Sequence, residues 1–329
     1  MNTPTALPLE FIERISRILP AELLDQFWKT FELPRRAALR INTLRIDLAT
    51  AVESLKQNGL TLRPVNWSPA TFAIPVEQRE LASHLPESTR GEIYLQSLSS
   101  QLAAVVLDPQ PGEQVLDLAA APGGKAAHLA TLMQNQGLLS CVEPIKPRFF
   151  RMQANLKNQG VTIAKFYLTD GRTVGKKVGP RFDRVLLDAP CSGEARFTTT
   201  DPASFATWSP RKIRETSRKQ VGLIKSAFEA LRPGGKLLYS TCSFSPAENE
   251  CIVAKLLEAF PDQASVLPIP LTNEAVDPYS ANSADQIPTW PGLTEYEGEV
   301  LPTSLQHTLR IMPNEFYEGF YLALIQKRL

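Results

Sequence analysis

Cysteine and histidine are scarce in this chain of 329 residues, at four and three. The cysteines Cys141, Cys191, Cys242 and Cys251 form no CxxC pair, and the histidines are widely spaced, which argues against a zinc site. A chain of this length has no need of disulfides to fold, so free thiols in a reducing, cytoplasmic setting are expected. No run of ~18 apolar residues occurs, which excludes a helical membrane span of the usual kind. The segment Met1 to Glu10 has no basic start followed by an apolar stretch and does not read as a secretory signal. Net charge is also nearly absent, at +1. With 43% hydrophobic residues, the composition is that of a folded chain of one large or two ordinary domains, and a monomer is expected.

The small net charge hides an asymmetry. Residues 146–236 hold 19 basic and seven acidic side chains, and residues 261–329 hold three basic and nine acidic ones. The basic excess is concentrated at Lys176-Lys177, Arg211-Lys212-Arg214 and Arg218-Lys219. One such cluster reads as an ordinary solvated helix face. Three in one stretch of catalytic motifs suit a polyphosphate partner.

Hydrophobic periodicity predicts helix over 8–31, interrupted at Pro20, then a small α+β module with strands near 38–45, 60–65 and 71–75 and a helix over 48–58. From 91 onward strands and helices alternate. Strands are expected at 114–118, 138–143, 163–168, 183–187 and 236–240, with helices at 123–134, 146–158, 210–231 and 246–260. Such alternation means a mostly parallel sheet covered by helices on both faces, a Rossmann-like α/β domain. Domains are expected at 1–90 and 91–329, with 262–305 an irregular excursion and 316–326 a closing strand.

Gln114-Val-Leu-Asp117 runs into Leu-Ala-Ala-Ala-Pro-Gly-Gly-Lys125, a buried strand ending in a turn of small residues that opens a helix. Small side chains let the backbone approach a ligand, and the helix N-terminus offers free N–H groups. The GxGxxG spacing of dinucleotide sites is absent. The second strand ends at Glu143, 26 residues beyond Asp117, where an acidic side chain can take ribose hydroxyls. A nucleoside with an amino-acid tail, S-adenosyl-L-methionine, fits this set.

Two later strands each deliver a thiol at their C-terminal ends, in Asp188-Ala-Pro-Cys-Ser-Gly193 and Tyr239-Ser-Thr-Cys-Ser243. A cysteine at a strand end is most often a small core hydrophobe. Here turn-forming and hydroxyl neighbours suit a partly exposed thiol, and nearby basic residues favour the thiolate. Methyl transfer to carbon 5 of a pyrimidine needs this chemistry. Addition of a thiolate at carbon 6 makes carbon 5 nucleophilic, an acid hydrogen-bonded at N3 stabilises the electron density pushed into the ring, and a base must then remove the carbon-5 proton. Asp188, Cys191 and Cys242 supply the required groups.

These residues resemble the Sun/Nol/Nop-type RNA (cytosine-5)-methyltransferases. The likeness is closest in Asp117 to Lys125, Asp188 to Gly193 and Tyr239 to Ser243, and extends through Pro246-x-x-Asn249-Glu250, Arg40-x-Asn42-Thr-Leu-Arg45 and Gly91-x-Ile-Tyr-x-Gln96. Cys191-Ser-Gly-Glu194, followed by Asp201-Pro202 and Trp208-Ser-Pro210, is most similar to the bacterial 16S rRNA branch. The resemblance implies a class I S-adenosylmethionine-dependent methyltransferase domain behind a small N-terminal RNA-binding module. It implies that Cys242 is the covalent nucleophile, that Cys191 assists product release, that Asp188 bonds the cytosine edge and that Lys125 lies near the base. Backbone of Ala119, Ala120, Ala121, Pro122, Gly123, Gly124 and Lys125, with Glu143, Arg148, Asp170 and Asp188, would hold the cofactor. Arg35, Arg36, Arg40 and Arg45 would grip RNA. The sequence departs from the family at Ala195, Arg196 and Phe197, and a further C-terminal RNA-binding domain of ribosomal relatives is expected to be missing. The expected partner is rRNA, with tRNA, or a ribosome-assembly role with methylation incidental or lost, as alternatives.

Overall fold

The computed structural model describes residues 6–34, 37–271 and 283–329. Two helices, α1 (Leu9–Ile18) and α2 (Ala21–Lys29), meet at Pro20, which lacks the N–H that a continuous helix would need there. Next come β1 (Ala37–Ile41), α3 (Leu48–Gln57), β2 (Arg63–Val65), β3 (Ser68–Ile74), α4 (Arg79–His84), α5 (Pro86–Thr89) and β4 (Ile93–Leu95). Asp47 caps α3 by accepting from the Thr50 N–H at 3.1 Å. The strands form an antiparallel sheet in the order β2-β3-β1-β4. Its fourth strand lies beyond the boundary expected at residue 90, and the first strand stops at Ile41 rather than running on to Arg45. Asn42 ends it by donating to the carbonyls of Gly91 and Gln159.

The larger unit follows as α6 (Leu98–Leu107), β5 (Gln114–Asp117), α7 (Gly124–Leu132), β6 (Leu138–Val142), α8 (Lys146–Asn158), β7 (Ala164–Tyr167), α9 (Val174–Val178), β8 (Phe182–Asp188), α10 (Pro210–Ala230), β9 (Leu231–Thr241) and α11 (Glu250–Ala259). The strands β7-β6-β5-β8-β9 are parallel, and apolar residues such as Val115, Leu116, Val185, Leu186, Leu237 and Leu238 bury both faces. The chain fills β5, β6 and β7 toward one edge and then returns to place β8 on the other side of β5. This reversal opens a crevice at the C-terminal ends of β5 and β8, where ligands of open α/β sheets bind.

The expected irregular stretch 262–305 is a correction: it contains β10 (Ala264–Leu267), β11 (Thr289–Pro291) and a small pair, β12 (Glu295–Tyr296) with β13 (Glu299–Val300). With β14 (Leu309–Ile311) and β15 (Phe320–Lys327), these strands extend the main sheet antiparallel beyond β9, except for the separate β12–β13 ribbon. The closing strand begins at Phe320, not Phe316. Residues 316–319 instead form a loop in which Asn314 Oδ1 accepts from the N–H groups of Phe316 and Tyr317.

The N-terminal helices turn their apolar faces to the large unit. Phe11, Phe27, Trp28 and Phe31 bury against Phe197 and Phe244 of the large unit, with Phe11 and Phe197 rings 5.2 Å apart.

Candidate active site

β5 delivers Asp117 into the crevice, and the Ala119–Gly123 turn follows. Gly123 stands at φ +106°, a left-handed conformation that a side chain would strain, and α7 starts directly after it. A Cβ on Gly124 would meet the Tyr94 ring at 2.6 Å, so β4 of the small sheet closes against this turn only because the residue is glycine. Asp117 is buried; its Oδ1 accepts from the Ala119 N–H at 3.4 Å, and its Oδ2 has no hydrogen-bond partner among the described residues. Burial first, and the neighbouring Asp188 carboxylate second, push its carboxyl up to about 7.

Glu143, one residue past β6, is buried. Its Oε1 accepts from the Ile145 N–H at 2.8 Å, and its Oε2 faces Arg148 Nη1 at 3.5 Å. Arg148 also donates to the Ala121 carbonyl at 3.0 Å, tying the acidic end of β6 to the small-residue turn. Asp170, past β7, is tied to its own neighbour: Arg172 pairs with it at 2.6 Å and holds its carboxyl below the ordinary value.

β8 and β9 carry the reactive groups. Asp188 ends β8, with Oδ1 accepting from Ser240 Oγ at 2.9 Å and Oδ2 paired with Lys125 Nζ at 2.9 Å. Lys125 donates as well to Ser100 Oγ at 2.6 Å and lies 5.5 Å from the centre of the Phe320 ring. The Sγ atoms of Cys191 and Cys242 are 3.3 Å apart, although 51 residues separate them in sequence, and both side chains are part-exposed. Their environments divide them. Hydrogen bonding from Cys191, together with Arg196 and Lys125 and against the cost of burial, draws the Cys242 thiol down; that same contact and burial hold Cys191 well above an ordinary thiol. Of the two, Cys242 is the thiol that ionises first, with Cys191 as its hydrogen-bond donor. Cys141, by contrast, is fully buried and pushed far up, as befits a core thiol.

The structure therefore brings Lys125, Asp188, Cys191 and Cys242 to one place, with Asp117 and the Ala119–Lys125 turn adjoining. Arg40 is a correction: it is 1% exposed and directed at Thr131 and Gln159, so it cannot grip a ligand. Arg45 caps the C-terminal end of α8, donating to the carbonyls of Asn158 at 2.8 Å and Lys157 at 3.2 Å. Arg35 and Arg36 lie outside the described residues.

Sequence reasoning missed the braces around the thiols. Glu248 Oε1 accepts from the Ser192 N–H at 2.9 Å and from Thr216 Oγ1; its Oε2 accepts from Ser243 Oγ at 2.6 Å and from Ser192 Oγ. Glu194 accepts from Trp208 Nε1 at 2.8 Å, from the Phe244 N–H at 3.1 Å and from Arg14 of α1. A signal is present: Glu194 closes Cys191-Ser-Gly-Glu194, and Glu248 lies within the Pro246–Glu250 segment, whose pattern alone reads as a helix start.

A parallel sheet with this strand order, an acidic β5 end and an acidic β6 end defines the class I S-adenosylmethionine-dependent methyltransferase fold. The family described as "16S rRNA methyltransferase RsmB/F" matches residues 104–326, and the one described as "N-terminal domain of 16S rRNA methyltransferase RsmF" matches residues 7–98. The chain belongs to the RsmB/F methyltransferase family. It is similar to "Ribosomal RNA small subunit methyltransferase F" of Vibrio vulnificus strain YJ016, at 38% identity over 80% of this chain and 56% of that protein. The Escherichia coli O139:H28 protein of the same description is 37% identical, with the same coverage. The chain thus spans little more than half the length of these relatives. Among solved structures, a methyltransferase homologue from Pyrococcus horikoshii matches with a TM-score of 0.80 at 30% identity, covering 98% of this chain and 96% of that one. NSun6 from the same organism matches in fold, with a TM-score of 0.77 at 21% identity over 98% of both chains.

Proposed function

We propose that this chain methylates carbon 5 of a cytosine in ribosomal RNA, through an adduct between Cys242 Sγ and carbon 6 of the base. The observation that carries this reading is the thiol pair at 3.3 Å beside the Asp188–Lys125 ion pair. Oxygen, nitrogen and carboxylate methylation need no thiols, whereas pyrimidine carbon 5 needs one to add and a group to assist its departure.

The cofactor pocket fits S-adenosylmethionine on this chain's own features. Asp117 leaves a buried carboxylate oxygen unpartnered, Glu143 stands at the ribose-binding position of the second strand, and no side chain among the described residues caps the N-terminus of α7. Asp117, Glu143, Arg148 and the backbone of 119–125 would hold it. When bound, it supplies a methyl group activated by a sulfonium centre. Asp170 would take part only by giving up Arg172. Cys242 adds to carbon 6 as thiolate, and electron density moves to carbon 5, which accepts the methyl group. Asp188, fixed by Ser240 and Lys125, meets the cytosine edge as an acceptor, and the Lys125 ammonium beside it offsets the charge pushed into the ring. Transfer of the carbon-5 proton to a base, with Cys191 assisting, then restores the C5–C6 double bond as the C6–S bond breaks and Cys242 leaves as thiolate. The target base would leave its stack to reach these groups, at a cost of a few kcal/mol.

Support for RNA comes from α10. Its buried face holds the Cys191 loop, with Gln220 Nε2 donating to the Pro190 carbonyl at 2.9 Å, while Arg211, Lys212, Arg214, Arg218 and Lys219 stand exposed on the other side. A phosphate chain along this helix would run past the mouth of the site.

The test is methyl transfer from labelled S-adenosylmethionine to 16S rRNA, assembled small subunits and tRNA, with the modified position mapped. Transfer to cytosine carbon 5 in rRNA, its loss in Cys242→Ala, and a denaturation-resistant protein–RNA adduct in Cys191→Ala are expected. Normal turnover by Cys242→Ala would overturn the assignment of the nucleophile. Transfer to tRNA but not to rRNA would overturn the substrate.

A further inference from the structure

Glu248 is fully buried and is hydrogen-bonded to both cysteine loops at once. Through Ser192 N and Oγ it holds the residue after Cys191, and through Ser243 Oγ it holds the residue after Cys242. Ser192 Oγ and Ser243 Oγ are also 3.1 Å from each other, so one carboxylate and two hydroxyls form a closed clasp behind the thiols. Two further contacts fix the clasp to the frame. Thr216 of α10 reaches Glu248 Oε1, and Tyr239 OH donates to the Glu248 carbonyl at 2.5 Å.

We propose that Glu248 is a positioning residue for the thiol pair: it sets the register of the two loops so that the Cys191 thiol donates a hydrogen bond to Cys242, and its negative charge helps keep the proton on Cys191. This rests on the reading of Cys242 as nucleophile only for its catalytic meaning; the arrangement of the thiols stands without it. The charged and titratable groups facing the clasp are Glu194 on the 194–208 loop, itself paired with Arg14 of α1, Cys191 on its own loop, and Tyr239 on β9. Burial raises the Glu248 carboxyl, and its hydrogen bonds from Ser192, Ser243 and Thr216 pull it back toward the charged form. A charge at Glu248 opposes ionisation of Cys191, and a proton retained on Cys191 stabilises a thiolate at Cys242. A neutral group in the same place lessens the bias between the two sulfurs while leaving the clasp in shape.

The experiment is site-resolved alkylation of the intact chain by limiting iodoacetamide across pH 5.5–9.5, read by mass spectrometry, with no RNA or cofactor present. In the parent protein, Cys242 is expected to label first and at lower pH than a free thiol. In Glu248→Gln, the ratio of Cys191 to Cys242 labelling at neutral pH should rise by roughly threefold to tenfold, the change that a shift of half to one pH unit in the thiolate balance produces. Thr216→Val, which removes one donor to Glu248 from outside both loops, should move the ratio in the same direction by less, and it serves if Glu248→Gln does not fold. An unchanged ratio and pH midpoint in a folded variant would overturn the proposal. Because neither RNA nor cofactor enters, this result is independent of whether the methyl-transfer test succeeds.

Discussion

Asp117 ends its strand with one carboxylate oxygen accepting from a backbone N–H and the other buried without a hydrogen-bond partner among the described residues, and burial pushes its carboxyl up to about 7. An aspartate raised from its ordinary 3.8 favours the folded state fully only below the ordinary value. That contribution is lost progressively as pH rises toward about 7, and above this the buried charge is a standing cost. Asp117→Asn should therefore stabilise the protein more at pH 8 than at pH 5, by a difference on the order of 2 kcal/mol. Urea unfolding at the two pH values measures it, and an equal change at both would refute the assignment. The same variant should weaken S-adenosylmethionine binding, since the free oxygen is the group left for a ligand. At this scale the motifs are legible in the sequence, because Asp117, Asp188, Cys191 and Cys242 each sit in a short segment whose local chemistry is self-evident. Glu194 and Glu248 are not legible as braces. Their meaning lies in partners such as Arg14, 180 residues away in sequence, and no local pattern encodes that pairing.

The N-terminal helices show what an element adds to a site it does not line. Amphipathic spacing correctly predicts helices on either side of Pro20, but spacing cannot say which surface receives the apolar face. The receiving surface is the aromatic patch of Phe197 and Phe244, beside the cysteine loops. The short strands of 262–305 are illegible for a related reason: each is two to four residues long, and β10 and β11 exist only through pairing with β15 and β14. Helix α1 is pinned by Arg14, whose guanidinium meets a Glu194 carboxylate with no solvent exposure. Removing one partner of such a pair strands the other in the interior. Arg14→Ala is thus expected to cost about 3–5 kcal/mol, by chemical denaturation, and Arg14→Ala combined with Glu194→Gln should cost less than Arg14→Ala alone. A strictly additive double variant would show that the two side chains do not depend on each other.

For the whole molecule, the two charged stretches of the chain supply different elements of the fold. The acidic stretch beyond residue 261 contributes strands to the far edge of the sheet past β9, whereas the basic stretch holds α10 and the loop that carries Cys191. Near-zero net charge thus coexists with a basic face beside the crevice at the strand reversal. On that face the exposed side chains of Arg218 and Lys219 have only Glu215 as an acidic neighbour on their own turn, and Glu215 is engaged by Arg211 at 2.9 Å. Charge reversal of Arg218 and Lys219 should weaken RNA binding across sequences and lower the slope of log affinity against log salt by about one for each phosphate left without its cation. The unfolding transition should stay nearly unchanged, because both side chains are exposed. Arg45→Ala provides the contrast, since its guanidinium is committed to the carbonyls that end α8. It should lower stability by up to about 1 kcal/mol and leave the salt slope as it was. Salt titrations of RNA binding on the two variants separate a phosphate track along α10 from a general effect of positive charge. A slope that falls in Arg45→Ala, or one that holds in the reversed α10, would place the RNA on another surface.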